Sequence, residues 1–129
     1  MAQRKGHEQL TPLELEIMKV LWDGGPATVQ EVQERVGATR QLAYTTVQTM
    51  LNILVRKKRA KRTLADRAYR YRAAVSREKA AGTALHDLVE RMFGGSAEAL
   101  VLSLVESDQL TPETLRRLQK MVDKEERDA

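Results

Sequence analysis

The sequence predicts a mainly α-helical protein with one small β-hairpin, divided into a basic front part and a mildly acidic rear part. Three observations predict it. Helix-start signatures recur along the chain, each followed by apolar residues at helical spacing. The spacing switches to alternation around residues 60–72 and returns to the helical period after Ser76. Charge divides at the same place: residues 1–75 carry 14 Lys/Arg against 7 Asp/Glu, and residues 76–129 carry 8 against 11.

The first helix begins at Thr11-Pro12-Leu13-Glu14, which reads as N-cap, proline at the first helical position and capping-box glutamate. Leu10 and Leu15 supply a hydrophobic staple, and Leu13, Ile17, Met18, Leu21 and Trp22 face inward. Asp23-Gly24-Gly25-Pro26 ends the helix, because proline lacks the donor needed to continue it. Thr28 and Glu31 repeat the capping box, and Val29, Val32 and Val36 follow at helical spacing up to Gly37. A third helix runs from about Ala43 to Lys57, anchored by Ala43, Val47, Met50, Leu51, Leu54 and Val55. Its other face carries Tyr44, Thr45, Gln48, Thr49, Asn52 and Arg56.

Two short strands follow, Ala60–Leu64 and Ala68–Arg72, around the turn Ala65-Asp66-Arg67. Tyr69 and Tyr71 share one strand face and are read as packing the hairpin on the core. Three helices and then a basic hairpin is the order of a winged helix-turn-helix. The expected domains are a winged-helix DNA-binding domain over 1–75 and a helical dimerisation domain over 76–129. In the rear part, Ala81, Leu85, Leu88, Val89 and Met92 form one stripe that ends at Phe93-Gly94-Gly95. Ser96 opens a shorter helix with Leu100, Val101, Leu104 and Val105, and Thr111-Pro112 opens a third with Leu115, Leu118 and Val122. Three such stripes make a marginal core alone. A symmetric homodimer is therefore expected, buried through Leu85, Leu88, Met92, Leu100, Val101, Leu104, Leu115, Leu118 and Val122.

From Arg56 to Arg62, six of seven residues are Lys or Arg, which points to a polyanionic partner. At the start of the third helix, Thr45, Thr46, Gln48 and Thr49 have the chemistry of base readers. Glutamine pairs with adenine through N6 and N7, and threonine meets acceptors or the thymine methyl. Arg40, Tyr44, Arg56, Lys57, Lys58, Arg59, Lys61, Arg62, Arg67 and Arg70 are assigned to the DNA backbone, where they carry affinity more than sequence choice.

Several classes are set aside. The chain has no cysteine, and its two histidines, His7 and His86, are far apart, so neither a metal centre nor a cofactor is expected. No arrangement of nucleophile and base or of paired carboxylates suggests an enzyme. No run of 18 apolar residues and no secretory leader is present, which gives the expectation of a cytoplasmic protein without membrane insertion. A protein-interaction adaptor and a ligand-sensing regulator, both using the same winged helix, remain as alternative readings.

Leu42-Ala43-Tyr44-Thr45-Thr46-Val47-Gln48-Thr49-Met50-Leu51, with the opening Leu10-Thr11-Pro12, Ile17-Met18 and Leu21-Trp22, closely resembles the penicillinase repressor (BlaI/MecI) family of bacterial transcriptional repressors. The wing segment Arg67-Ala68-Tyr69-Arg70-Tyr71 and the rear segments Phe93-Gly94-Gly95 and Leu100–Glu106 extend the resemblance to residues 10 to about 125. The resemblance implies a dimer on a palindromic operator that blocks transcription, with possible control of β-lactam resistance genes. It also implies a membrane sensor-protease pathway that relieves repression by cutting the dimerisation domain, here at Ser103-Leu104, where well-known members carry Asn-Phe. Lys58 stands where relatives often carry a helix-ending glycine, so a strained turn into the wing is expected. Gln48 matches some members, whereas others carry arginine. The copper-responsive branch, with its C-terminal cysteine motif, does not fit a chain without cysteine.

Overall fold

The computed structural model describes residues 9–37 and 40–128; His7 and Thr39 lie outside them. Among the described residues, six helices and one antiparallel hairpin form in the order α1 (Pro12–Gly24), α2 (Val29–Val36), α3 (Tyr44–Arg56), β1 (Ala60–Ala65), β2 (Ala68–Ala73), α4 (Arg77–Met92), α5 (Ala97–Glu106) and α6 (Pro112–Asp128). The chain divides into two compact units, Met1–Ala84 and Leu85–Ala129, with the division inside α4.

Both front capping boxes form. Thr11 Oγ1 accepts from Glu14 N at 3.2 Å while Glu14 Oε1 accepts from Thr11 N at 2.8 Å, and Thr28 and Glu31 repeat the exchange at 3.2 and 2.9 Å. Each box satisfies two donors that a helix start leaves open. The Thr28 backbone N–H, followed by the Thr28 hydroxyl, holds the Glu31 carboxyl below its ordinary range. Ser76, Ser96 and Thr111 cap α4, α5 and α6 with the side-chain oxygen alone, accepting from Lys79 N, Ala99 N and Thr114 N.

The core of the first unit is built from Ile17, Met18 and Leu21 of α1, Val29, Val32 and Val36 of α2, and Val47, Leu51 and Leu54 of α3, closed by Ala27, Ala60 and Tyr71. Two sequence expectations are corrected here. Ala43 is the exposed N-cap of α3 and anchors nothing. The buried stripe of α1 runs through Glu14, Ile17, Met18 and Leu21, so a carboxylate occupies a core position and Leu13 lies only half-buried. Trp22 packs against the edge of this core and donates from Nε1 to the Val75 carbonyl at 2.9 Å, which ties the segment after β2 back to α1.

In the hairpin, Ala60 pairs with Ala73, Arg62 with Tyr71 and Leu64 with Tyr69. Asp66 and Arg67 both have positive φ, 51° and 68°, as a two-residue turn matched to strand twist requires. Tyr71 also exchanges two backbone hydrogen bonds with Ala27, at 2.8 and 2.9 Å, so the loop before α2 adds a one-residue third partner to the hairpin.

In the second unit no residue of α5 or α6 is buried. Apolar side chains stand open along it, with Met92 70 % and Leu102 59 % exposed and Leu85, Leu88, Val101, Leu118, Met121 and Val122 beside them in this class.

Candidate nucleic-acid interface

The helix-turn-helix is set by α2 and α3. The Gln33 amide donates from Nε2 to the Leu42 carbonyl at 3.0 Å, fixing the approach to α3. With Val47, Leu51 and Leu54 buried, the helical period turns Thr45, Thr46, Gln48 and Thr49 outward, and all four are exposed beside Tyr44. The start of α3 differs chemically from the other helices. Its N-cap is Ala43, and no side chain accepts from its first turn. The first-turn N–H groups are therefore left uncapped by the N-cap residue, which suits a helix start that meets phosphate or base edges.

The wing presents the second part of the surface. Lys61 stands opposite Arg72 in the ladder, and Thr63 opposite Arg70, so Lys61, Arg70 and Arg72 crowd the strand face away from Tyr71. Like charges directly opposite one another destabilise a sheet. Among the described residues, Arg70 reaches the Glu31 carboxylate at 3.4 Å, in an exposed pair of little energetic weight. Arg67 occupies the turn, and Arg40, Arg56, Lys58 and Arg67 are exposed.

Three of the assigned cations are placed differently from the expectation. Lys57 is turned to a carboxylate of the same chain. Its Nζ donates to both carboxylate oxygens of Glu14, at 2.9 and 3.0 Å, with the Glu14 side chain 3 % exposed and that of Lys57 15 %. Burial raises the Glu14 carboxyl, but the Thr11 backbone N–H, the Lys57 hydrogen bonds and charge, and the Thr11 hydroxyl outweigh it and hold the group low. Lys57 therefore joins the end of α3 to the start of α1. Arg59 is 9 % exposed and belongs to the interior edge, its carbonyl accepting from Ala74 N at 2.8 Å. Arg62 is exposed but engaged, donating from Nη1 to Asn52 Oδ1 at 2.8 Å with its guanidinium carbon 4.3 Å from the Tyr69 ring centre. Reading the basic run as one continuous grip missed this, because charge counts carry no information about which cations turn inward.

Lys58 has φ 64°. Its N–H donates to the Val55 carbonyl at 3.0 Å and that of Arg59 to Leu54 at 2.9 Å, which together make the helix-ending motif that ordinarily takes glycine. A lysine here carries conformational strain while placing its charge at the junction of α3 and the wing.

Asn52, outside the set assigned to DNA, joins α3 to the hairpin. Its Oδ1 accepts from the Tyr71 hydroxyl at 2.9 Å as well as from Arg62. In the rear unit, Ser103 and Leu104 lie within α5, both half-buried. The Ser103 carbonyl accepts from Ser107 N, and that of Leu104 accepts from Gln109 N and Leu110 N. Cutting this bond requires local unwinding first.

Among the described residues no group of His, Cys, Asp or Glu is placed to hold a metal ion, and no helix is long and apolar enough to cross a membrane.

Known proteins resemble this chain in sequence and in fold. A family model described as penicillinase repressor matches residues 10–124. The penicillinase repressor of Bacillus licheniformis is 27 % identical over 115 residues, spanning 89 % of this chain and 90 % of that protein. The transcriptional regulator BlaI of Mycobacterium tuberculosis (strain H37Rv) is 37 % identical over 100 residues, covering 76 % of this chain and 72 % of its own. Among solved structures, the DNA-binding domain of the repressor BlaI superposes with a TM-score of 0.50 and 27 % identity, over 60 % of this chain and 90 % of that one.

Proposed function

The chain belongs to the penicillinase repressor family, and from that premise we propose that it is a homodimeric repressor binding a palindromic DNA operator. The single observation that carries the proposal is the exposed stripe Thr45, Thr46, Gln48 and Thr49 at the open N-terminus of α3. Such a helix start enters the major groove with short polar side chains foremost, and its uncapped N–H groups meet the adjacent phosphate. Arg40, Tyr44, Arg56, Lys58, Lys61, Arg67 and Arg70 supply backbone contacts, joined by Arg72 from the crowded wing face. Lys57 and Arg59 leave that set because both turn inward.

Dimerisation is the second half of the proposal. Leu85, Leu88, Met92, Leu100, Val101, Leu104, Leu115, Leu118 and Val122 lie on helices whose apolar side chains find little cover within one chain. A second copy covers them and sets the spacing of two recognition helices to match two operator half-sites. Occupancy of the operator blocks transcription. Opening or cutting the dimerisation segment at Ser103–Leu104, downstream of a membrane sensor-protease, lowers affinity by uncoupling the half-sites. The names of the relatives make β-lactam resistance genes the first targets to examine. The protein works in the cytoplasm, needs no cofactor and catalyses no reaction.

Binding of Thr46→Ala and Gln48→Ala to a selected operator and to random DNA tests the base-reading assignment. Each variant should lose about 1–3 kcal/mol on the operator and little on random DNA. Equal losses on both would refute the assignment.

A further inference from the structure

The recognition helix and the wing meet at one side chain. Asn52 lies one helical turn beyond Gln48, on the stripe assigned to DNA reading, yet its Oδ1 is turned to the hairpin. It accepts from the Tyr71 hydroxyl at 2.9 Å and from Arg62 Nη1 at 2.8 Å, which uses both lone pairs of the amide oxygen. These donors are not independent, because Arg62 and Tyr71 are direct partners in the β1–β2 ladder. Tyr71 is 1 % exposed, and a hydroxyl buried that deeply requires a partner. Its ring lies 6.5 Å from that of Tyr69, and Tyr69 in turn carries the Arg62 guanidinium on its face. The cluster thus closes on itself: an amide on α3, a cation on β1 and two phenol rings tilted 56° to one another on β2.

We propose that Asn52 is a positioning residue that locks the wing to the recognition helix, and that Arg62 serves this lock rather than gripping phosphate. The proposal rests on the DNA-binding reading for its functional consequence. A wing held at a fixed angle to α3 presents Lys61, Arg70 and Arg72 in register with the groove that α3 enters. A wing free to swing must be ordered at the moment of binding, which lowers affinity for the operator. Because sequence-specific docking demands one geometry and non-specific binding tolerates many, the loss falls mainly on the operator.

Hydrogen exchange of the full-length protein without DNA tests the lock itself. In Asn52→Leu the wing amides from Lys61 to Arg72 should exchange roughly tenfold faster, while amides in the middle of α1 stay close to wild type. Tyr71→Phe keeps the buried ring, removes only the hydroxyl and should act in the same direction. Asn52→Asp keeps the accepting oxygen and should retain wing protection. Unchanged wing exchange in both Asn52→Leu and Tyr71→Phe overturns the proposal, whatever DNA the protein binds. The functional arm measures operator affinity. The Tyr71 hydroxyl is enclosed by the fold, so an effect of Tyr71→Phe on DNA reaches it through positioning. A loss on the order of fivefold is expected, with the salt dependence of binding unchanged because no phosphate contact is removed. Full operator affinity in Tyr71→Phe, with a loss confined to Asn52→Leu, would make Asn52 a direct contact instead and overturn the positioning role. A wild-type protein with no preferred DNA site would count against the DNA-binding reading, leaving the exchange result to decide the lock.

Discussion

Replacing Lys57 by methionine separates this cation from those proposed to meet DNA. Methionine retains the unbranched stem and deletes the ammonium that lies 2.9 and 3.0 Å from the two oxygens of Glu14. Removing one partner of a fully buried pair costs about 3–5 kcal/mol. The Lys57 side chain is 15 % exposed, and the Thr11 N–H still donates to Glu14 at 2.8 Å, so the loss here should be roughly 2–3 kcal/mol. Urea unfolding followed by far-UV circular dichroism, at one fixed protomer concentration, measures it. The pH dependence has a definite sign. Because the folded Glu14 carboxyl sits below its ordinary value of 4.5, its contribution to stability is present above that pH and is lost as pH falls through the lower folded value. The gap between wild type and variant should therefore narrow under acid. On DNA, once folded, the variant should keep the wild-type slope of log affinity against log salt, whereas Lys61→Met should reduce its steepness by about 0.9 at nearly unchanged stability. A stable Lys57→Met protein with a slope reduced by that amount would refute the structural role and return Lys57 to the phosphate set.

Two further predictions concern strain and assembly. Lys58→Gly should raise stability by about 0.5–1 kcal/mol, because relief of a left-handed lysine exceeds the extra freedom glycine has when unfolded; a fall in the urea midpoint would contradict the strained turn. Leu118→Asp places a charge on the apolar face of α6 and should convert a dimer to monomer in sedimentation equilibrium, while a single half-site is still bound weakly. An unaltered dimer would move the interface elsewhere.

Much of the fold was legible because its signals are local. Thr11 with Glu14 and Thr28 with Glu31 announce helix starts within four residues, and the switch to alternation before Tyr69 announces the hairpin. The exposure of Thr45, Thr46, Gln48 and Thr49 on α3 followed from the same period that buries Val47, Leu51 and Leu54. What escaped depends on contacts between distant segments. Glu14 and Lys57 are 43 residues apart, and Asn52 and Tyr71 are 19 apart. The one available hint was that Glu14 falls on the Ile17–Met18–Leu21 stripe, where a carboxylate demands a buried cation. The single-residue bridge from Ala27 to Tyr71 has no periodicity to betray it. Arg59 shows the converse limit, since membership of a basic run does not fix the direction of a side chain.

Selection of bound sites from a random double-stranded DNA library, using the purified full-length protein at physiological salt, tests the central claim most directly. The account predicts recovery of a palindrome whose half-sites lie about one helical turn or a whole multiple apart. Affinity for it should exceed that for random DNA by roughly a thousandfold or more. Recovery of no shared sequence, with equal affinity for every duplex offered, would contradict it.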